Sequence, residues 1–175
     1  MYQKEPNKMR MDIEVMGMVI TQAFDGEKAW GVNPQTGVAE EMPEQQAGDF
    51  KRQALGNDAL LHPKKHGITW TYMSKEEIEG KEYHVLEQTF EDGFKTTWYI
   101  DSETHLLYKT KAMTMNQMGI EVEAETIMSD YKEVEGMVLA HTLSIYQDGE
   151  EFISLNLSEV SFNAALEDSL FTMSE

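Results

Sequence analysis

The chain has no cysteine among its 175 residues, which excludes disulfides, thiol nucleophiles and thiolate metal sites. Positive charge is scarce as well: 14 Lys and Arg stand against 32 Asp and Glu, a formal net charge of -18. A phosphate-binding groove requires the opposite sign, so nucleic acid and anionic membrane surfaces are poor partners. No apolar run approaches the length of a membrane-spanning helix. The sequence carries no Gly-rich phosphate loop, no Gly-x-Ser-x-Gly elbow and no nucleophile beside a suitable base. Carboxylates are so abundant that any acid–base pair nominated from sequence alone carries no information. These absences argue against an enzyme, and no cofactor is expected.

What the chain does have is a regular series of turn signals. Asp25-Gly26, Asn33-Pro34 followed by Gly37, Glu79-Gly80, Asp92-Gly93, Glu135-Gly136 and Asp148-Gly149 punctuate it. Most runs between them alternate apolar with polar residues, the signature of a meandering antiparallel sheet. Met9, Met11, Ile13 and Val15 take one side of a strand, with Arg10, Asp12 and Glu14 on the other. About ten strands are expected, in one domain over residues 1–175, with no solenoid repeat. The sequence offers one helical stretch, Pro43 to Leu61, with Pro43 suited to a first turn. Gly48 and Gly56 each weaken it by about 1 kcal/mol, so a short or broken helix is expected, ended by His62-Pro63. The closing Leu166-Glu167-Asp168-Ser169-Leu170-Phe171 reads as a short turn that tucks Phe171 against the sheet.

Several constellations carry two readings. From Glu121 to Glu175 there are 13 acids and one Lys, -12 of the total charge; this is a solvated acidic face or a docking surface for a basic protein partner. Glu121, Glu123 and Glu125 form the wet face of a strand or, less favourably, collect calcium. His62 and His66 are four apart, yet Pro63 intervenes, and His141 sits among Leu139, Leu143 and Ile145 as a hydrogen-bonded core residue; a zinc site is not expected. The 13 Met residues, Met9, Met11, Met16, Met18, Met113, Met115 and Met118 among them, furnish an ordinary core or a soft cavity that adapts to flexible acyl chains.

Glu5-Pro6-Asn7-Lys8-Met9-Arg10, a strand pair, and then Asp25-Gly26-Glu27-Lys28-Ala29-Trp30-Gly31-Val32-Asn33-Pro34 resemble the periplasmic, LolA-like outer-membrane lipoprotein-sorting family. Trp98-Tyr99-Ile100-Asp101 with Leu106-Leu107, Ser129-Asp130-Tyr131-Lys132 with Val134 and Gly136, and the segment ending at Phe171 extend the likeness over nearly the whole chain. The resemblance implies a mainly β fold: a curved antiparallel sheet, an unclosed β-barrel, with one or two short helices on its concave face. It also implies an apolar cavity for lipid or lipoprotein acyl chains. Its lining would be Met11, Ile13, Val15, Met18, Ile20, Trp30, Val32, Trp70, Trp98 and Ile100, the inward phase of each strand being taken from alternation. Relative to the family the chain is expected to be truncated at its N-terminus, lacking an initial helix and strand. Glu5 stands where some carriers have an Arg before the Pro-Asn. The expected function is a non-enzymatic envelope protein of the periplasm that buries acyl chains. The alternative is an envelope sensor or interaction module with a filled core, acting through its acidic C-terminal face.

Overall fold

The computed structural model of the chain describes residues 1–15, 17–33, 35–115 and 119–173. Met16, Pro34 and Met118 lie outside the described residues, as does the side chain of Val15. Among the described residues twelve strands and two α-helices follow one another along the chain. Hydrogen bonding divides the strands between two antiparallel sheets of five and seven strands, and among the described residues neither closes on itself. The chain separates into two compact units, Met1–Pro63 with Ala164–Glu175, and Lys64–Asn163.

The first unit holds the five-stranded sheet, in the order β1 (Tyr2–Lys4), β2 (Lys8–Val15), β3 (Met18–Phe24), β4 (Ala29–Val32), β5 (Ala39–Glu41). Two of these strands escape the sequence reading. β1 precedes the Pro6-Asn7 turn and pairs Tyr2 with Arg10, and β5 pairs Ala39 with Val32. Each is three residues long, too short for alternation to register.

Helix α1 (Glu44–Ala54) begins after Pro43 and is followed by α2 (Gly56–Leu61). The break expected at Gly56 is present. Its φ is +48° and an added Cβ would lie 1.8 Å from Gln3 Nε2, so a side chain here meets both strain and a neighbour. α1 presents Ala47, Phe50 and Ala54 to Met9, Phe24 and Ala29, with Met11 and Met42 at the margin.

The opposite face of this sheet is closed by the end of the chain. A 3₁₀ turn, Asp168–Leu170, delivers Phe171, which is wholly buried at 0% exposure. Around it Lys4 Nζ donates to Leu166 O (2.7 Å) and pairs with Asp168 (2.8 Å), and Lys8 also pairs with Asp168 (3.0 Å). Arg10 donates to Leu170 O (3.0 Å), and the Trp30 indole N–H donates to Phe171 O (2.7 Å). Arg10 further holds Asp12, which accepts from Thr21 Oγ1 at 2.6 Å.

The second unit is a meander of seven strands: β6 (Thr69–Ile78), β7 (Lys81–Thr89), β8 (Lys95–Asp101), β9 (Leu107–Met115), β10 (Glu121–Val134), β11 (Met137–Gln147) and β12 (Glu150–Asn156). Three of its hairpins turn on two residues with positive φ at both, Glu79-Gly80, Glu135-Gly136 and Asp148-Gly149. This is the type I′ geometry whose twist matches that of the strands it joins. Asp92-Gly93 works differently. Only Gly93 has positive φ, Phe90 N–H bonds Phe94 O at 2.9 Å, and Asp92 Oδ1 accepts from Phe94 N–H at 2.9 Å. The last strand ends at Asn156; beyond Leu157, whose N–H reaches His141 O (2.8 Å), no further ladder bonds sustain it among the described residues. His141 is buried, and its Nδ1 lies 3.0 Å from Leu139 O. A carbonyl only accepts, so Nδ1 carries the proton.

Phe171→Ala is expected to destabilise the first unit by about 3–5 kcal/mol, read as a lowered urea midpoint. Phe152→Ala, at a residue 53% exposed, is expected to stay within about 0.5 kcal/mol. Hydrogen bonds from Lys4 and then Lys8 hold the Asp168 carboxyl below its ordinary pKa of 3.8. Its contribution is therefore complete above that value and is lost as pH falls through and below it. Asp168→Asn should flatten the acid limb of the stability profile, most visibly at low salt.

Candidate ligand-binding faces

Of the ten residues expected to line a cavity, seven fall in the first unit and three in the second. In β2 and β3, Met11 opposes Gln22 and Ile13 opposes Ile20, so these apolar residues share the face on which Met9 and Phe24 meet α1. Val15 opposes Met18 at the end of the same hairpin. α1 covers only the Met9 end. Towards the hairpin tip Ile13 is 39% and Met18 51% exposed, while Met11 and Ile20 are half-buried. Trp30 and Val32 lie on the other side. Ala23 opposes both Arg10 and Trp30, so Trp30 shares the face of Arg10 and is buried against the chain end through its bond to Phe171 O. The structure thus brings Met11, Ile13, Met18 and Ile20 together and separates Trp30 and Val32 from them.

The three candidates in the second unit share one face of the seven-stranded sheet. Successive register partners Tyr72, Leu86, Trp98, Thr110, Thr126, Ile145 and Ile153 run across all its strands. Trp70 meets Trp98 edge-to-face at 5.2 Å, and the Trp98 indole donates to the buried Gln88 Oε1 at 3.1 Å. Ile100, opposite His84, belongs to the same face, as do Met128, Leu143 and Leu155. Most of these side chains are half-buried and Leu155 is exposed. Leu86, Met128, Leu143, Ile145 and Leu155 were missed as candidates; their alternation about Trp98 is legible, but pairing partners are needed to join the strands into one surface.

The reverse face carries charge and aromatic rings. Lys111 binds Glu123 and Glu125, each at 3.0 Å, and Lys109 reaches Glu125 at 3.3 Å and lies 4.9 Å from the Tyr99 ring centre. The hydrogen bond that Lys111 donates to Glu123, with Glu125 beside it, raises the Lys111 pKa well above its ordinary value against the opposing effect of burial. Tyr83 stacks on Tyr108 at 4.7 Å, and burial pushes both phenols up. Glu123 and Glu125 are therefore partnered with lysines, on an interior strand. Among the described residues no group of three or more His, Asp or Glu side chains is placed to hold a metal ion.

Among the described residues each unit has an open concavity. One of about 370 Å³ includes Gln22, Val32, Glu40, Glu41, Met42 and Gln46. The other, about 390 Å³, lies along Lys111, Glu123, Glu125, Ile127 and Tyr146 on the charged face. Both have mixed polar linings, and of the ten expected lining residues only Val32 touches either. The apolar surface offered to a ligand is accordingly the pair of half-exposed sheet faces, each within its own unit.

No protein-family model matches the chain, and no curated protein matches it significantly. Solved structures do. A domain from Vibrio parahaemolyticus described as outer-membrane lipoprotein-sorting superposes with a TM-score of 0.58 at 17% identity, over 91% of this chain and 78% of that one. A DUF1329 family protein from Desulfovibrio piger gives 0.59 at 12% identity, over 94% and 80%. A LolA superfamily protein from Nitrosomonas europaea gives 0.55 at 14% identity, over 91% and 73%. The chain has a LolA-like fold: mainly β, antiparallel, unclosed, with few short helices.

Lys111→Met is expected to lower stability at pH 7 by about 1–2 kcal/mol, because two carboxylates lose a shared cation. The deficit is read as a lowered urea midpoint and should narrow as added salt screens the two carboxylates.

Proposed function

We propose that this LolA-like fold binds the acyl chains of a lipid or lipoprotein in the bacterial cell envelope, without covalent chemistry. The observation that carries this reading is the face of the seven-stranded sheet that gathers Trp70, Leu86, Trp98, Met128, Ile145 and Leu155, crossed by Thr110 and Thr126 and left half-exposed. A surface of this extent on a highly charged protein calls for an apolar partner. Each acyl CH₂ removed from water contributes about 0.8 kcal/mol. The exposed end of the β2–β3 hairpin, with Ile13 and Met18, supplies a second apolar surface of the same kind. The likeness in fold to a lipoprotein-sorting domain supports the periplasm as the compartment and outer-membrane lipoprotein sorting as the role. In this reading residues 1–175 act as a single domain, and release requires a competing acceptor or a change of conformation.

A second reading, an envelope sensor or interaction module acting through the acidic C-terminal region, draws on the -12 charge of residues 121–175 and on the polar lining of both concavities.

Native mass spectrometry with lipid extraction, together with displacement of an apolar fluorescent probe, separates the two. Acyl binding predicts co-purifying lipid or saturable probe binding competed by lipid. Ile13→Glu and Trp98→Glu should each weaken the probe at least about tenfold, or about 1.4 kcal/mol, while Glu123→Gln leaves it unchanged. A lipid-free protein that ignores the probe, or apolar-face variants that bind as well as the parent, contradicts acyl binding.

A further inference from the structure

Every residue of β12 is exposed, and β12 is the last strand of its sheet. The other three sheet edges are blunted. β1 and β5 are three residues long and carry Lys4 and Glu40-Glu41, and β6 has Lys75-Glu76-Glu77 and a register irregularity between Tyr72 and Ser74. These devices discourage a further strand from adding. β12 starts with Glu150 and Glu151, and its ladder slips once opposite Ile145 and Tyr146. From Phe152 to Ser158 it then carries no charge at all.

The polarity of that edge follows from its pairing. Leu157 N–H is given to His141 O, and Leu155 and Ile153 oppose Leu143 and Ile145 at the same alternation. In an antiparallel ladder the intervening residues point their backbone groups away, so Ser154 and Asn156 offer free N–H and C=O groups outward. Ile153 and Leu155 extend the apolar face by one strand; Glu151 and Ser154 extend the polar one.

We infer that the outer edge of β12 is a docking site for an extended segment of a basic partner protein, which adds to the sheet as an antiparallel or parallel eighth strand. Backbone hydrogen bonds supply the affinity and alternate side chains the selection. The segment alternates apolar residues, which lie beside Ile153 and Leu155, with Lys or Arg on the side of Glu151. Charge decides the occupant. Residues 121–175 carry -12, and Asp148, Glu150, Glu151 and Glu159 flank the edge. A second copy would bring another -18 to it, whereas a basic strand neutralises what is there. The inference does not depend on acyl binding at the apolar face.

The test uses the full chain and a synthetic peptide of alternating Val and Lys, about eight residues long, followed by fluorescence anisotropy. A block peptide of the same composition, four Lys then four Val, is the control. Expected is saturable binding of the alternating peptide, at least tenfold tighter than the block peptide and weakened by raising NaCl from about 50 to 300 mM. Ser154→Pro removes only an outward N–H and should weaken binding at least tenfold. Leu155→Lys, at an exposed position, tests the same edge if Ser154→Pro does not fold. Hydrogen exchange should show new protection at Ser154 and Asn156. Equal binding of both peptides, indifference to the edge variants, or no binding at low salt overturns the proposal. So does self-association that Ser154→Pro abolishes, since the occupant would then be a second copy.

Discussion

The interaction on which the first unit depends is the burial of Phe171 against the face of the five-stranded sheet that α1 does not cover. α1 packs against only one side of the five-stranded sheet. Here the second side is closed by residues contributed from the other end of the sequence, held by Lys4, Lys8, Arg10 and Trp30. The bond from the Trp30 indole joins a buried donor to the carbonyl of the buried residue itself, and the lysines fix the approach by pairing with Asp168. Because Met1–Pro63 and Ala164–Glu175 form one unit, Lys64–Asn163 is an excursion between its two parts.

That excursion is a sheet whose two faces have opposite requirements. On one, Lys109 and Lys111 neutralise Glu123 and Glu125, and Lys109 lies over the Tyr99 ring, so the face is satisfied within itself. On the other, the row through Leu86, Trp98 and Ile145 remains half in water. There the Trp98 indole donates to Gln88, which positions an aromatic ring without consuming the apolar surface around it, and Lys75 pairs with Glu82 towards the β6–β7 turn. Binding by burial is the chemistry such a face supports, and it needs neither nucleophile nor metal.

Much of this was legible in the sequence, for local reasons. Glu79-Gly80, Glu135-Gly136 and Asp148-Gly149 supply two consecutive positive-φ residues and became two-residue hairpins; Gly56 broke the helix; Phe171 tucked in as its apolar surroundings required. What stayed hidden is non-local. β1 and β5 exist because β2 and β4 offer them edges, not because three residues prefer to be extended. The face of Trp30 depends on its register with Ala23, which alternation within β4 alone does not determine. The division of the strands between two sheets is likewise a matter of pairing. The candidate residues were identifiable by type, and their assembly into faces was not.

The central claim, that the apolar sheet faces receive acyl chains, is tested most directly by methyl NMR of methionine-labelled protein titrated with a short-chain lysophospholipid. Met11 and Met18 lie on the apolar face of the β2–β3 hairpin and Met128 on that of the larger sheet, whereas Met113, opposite Glu123, sits exposed on the charged face. The account predicts saturable shifts at Met11, Met18 or Met128, with Met113 unmoved. Shifts absent below the micellar concentration, or confined to Met113, would contradict it.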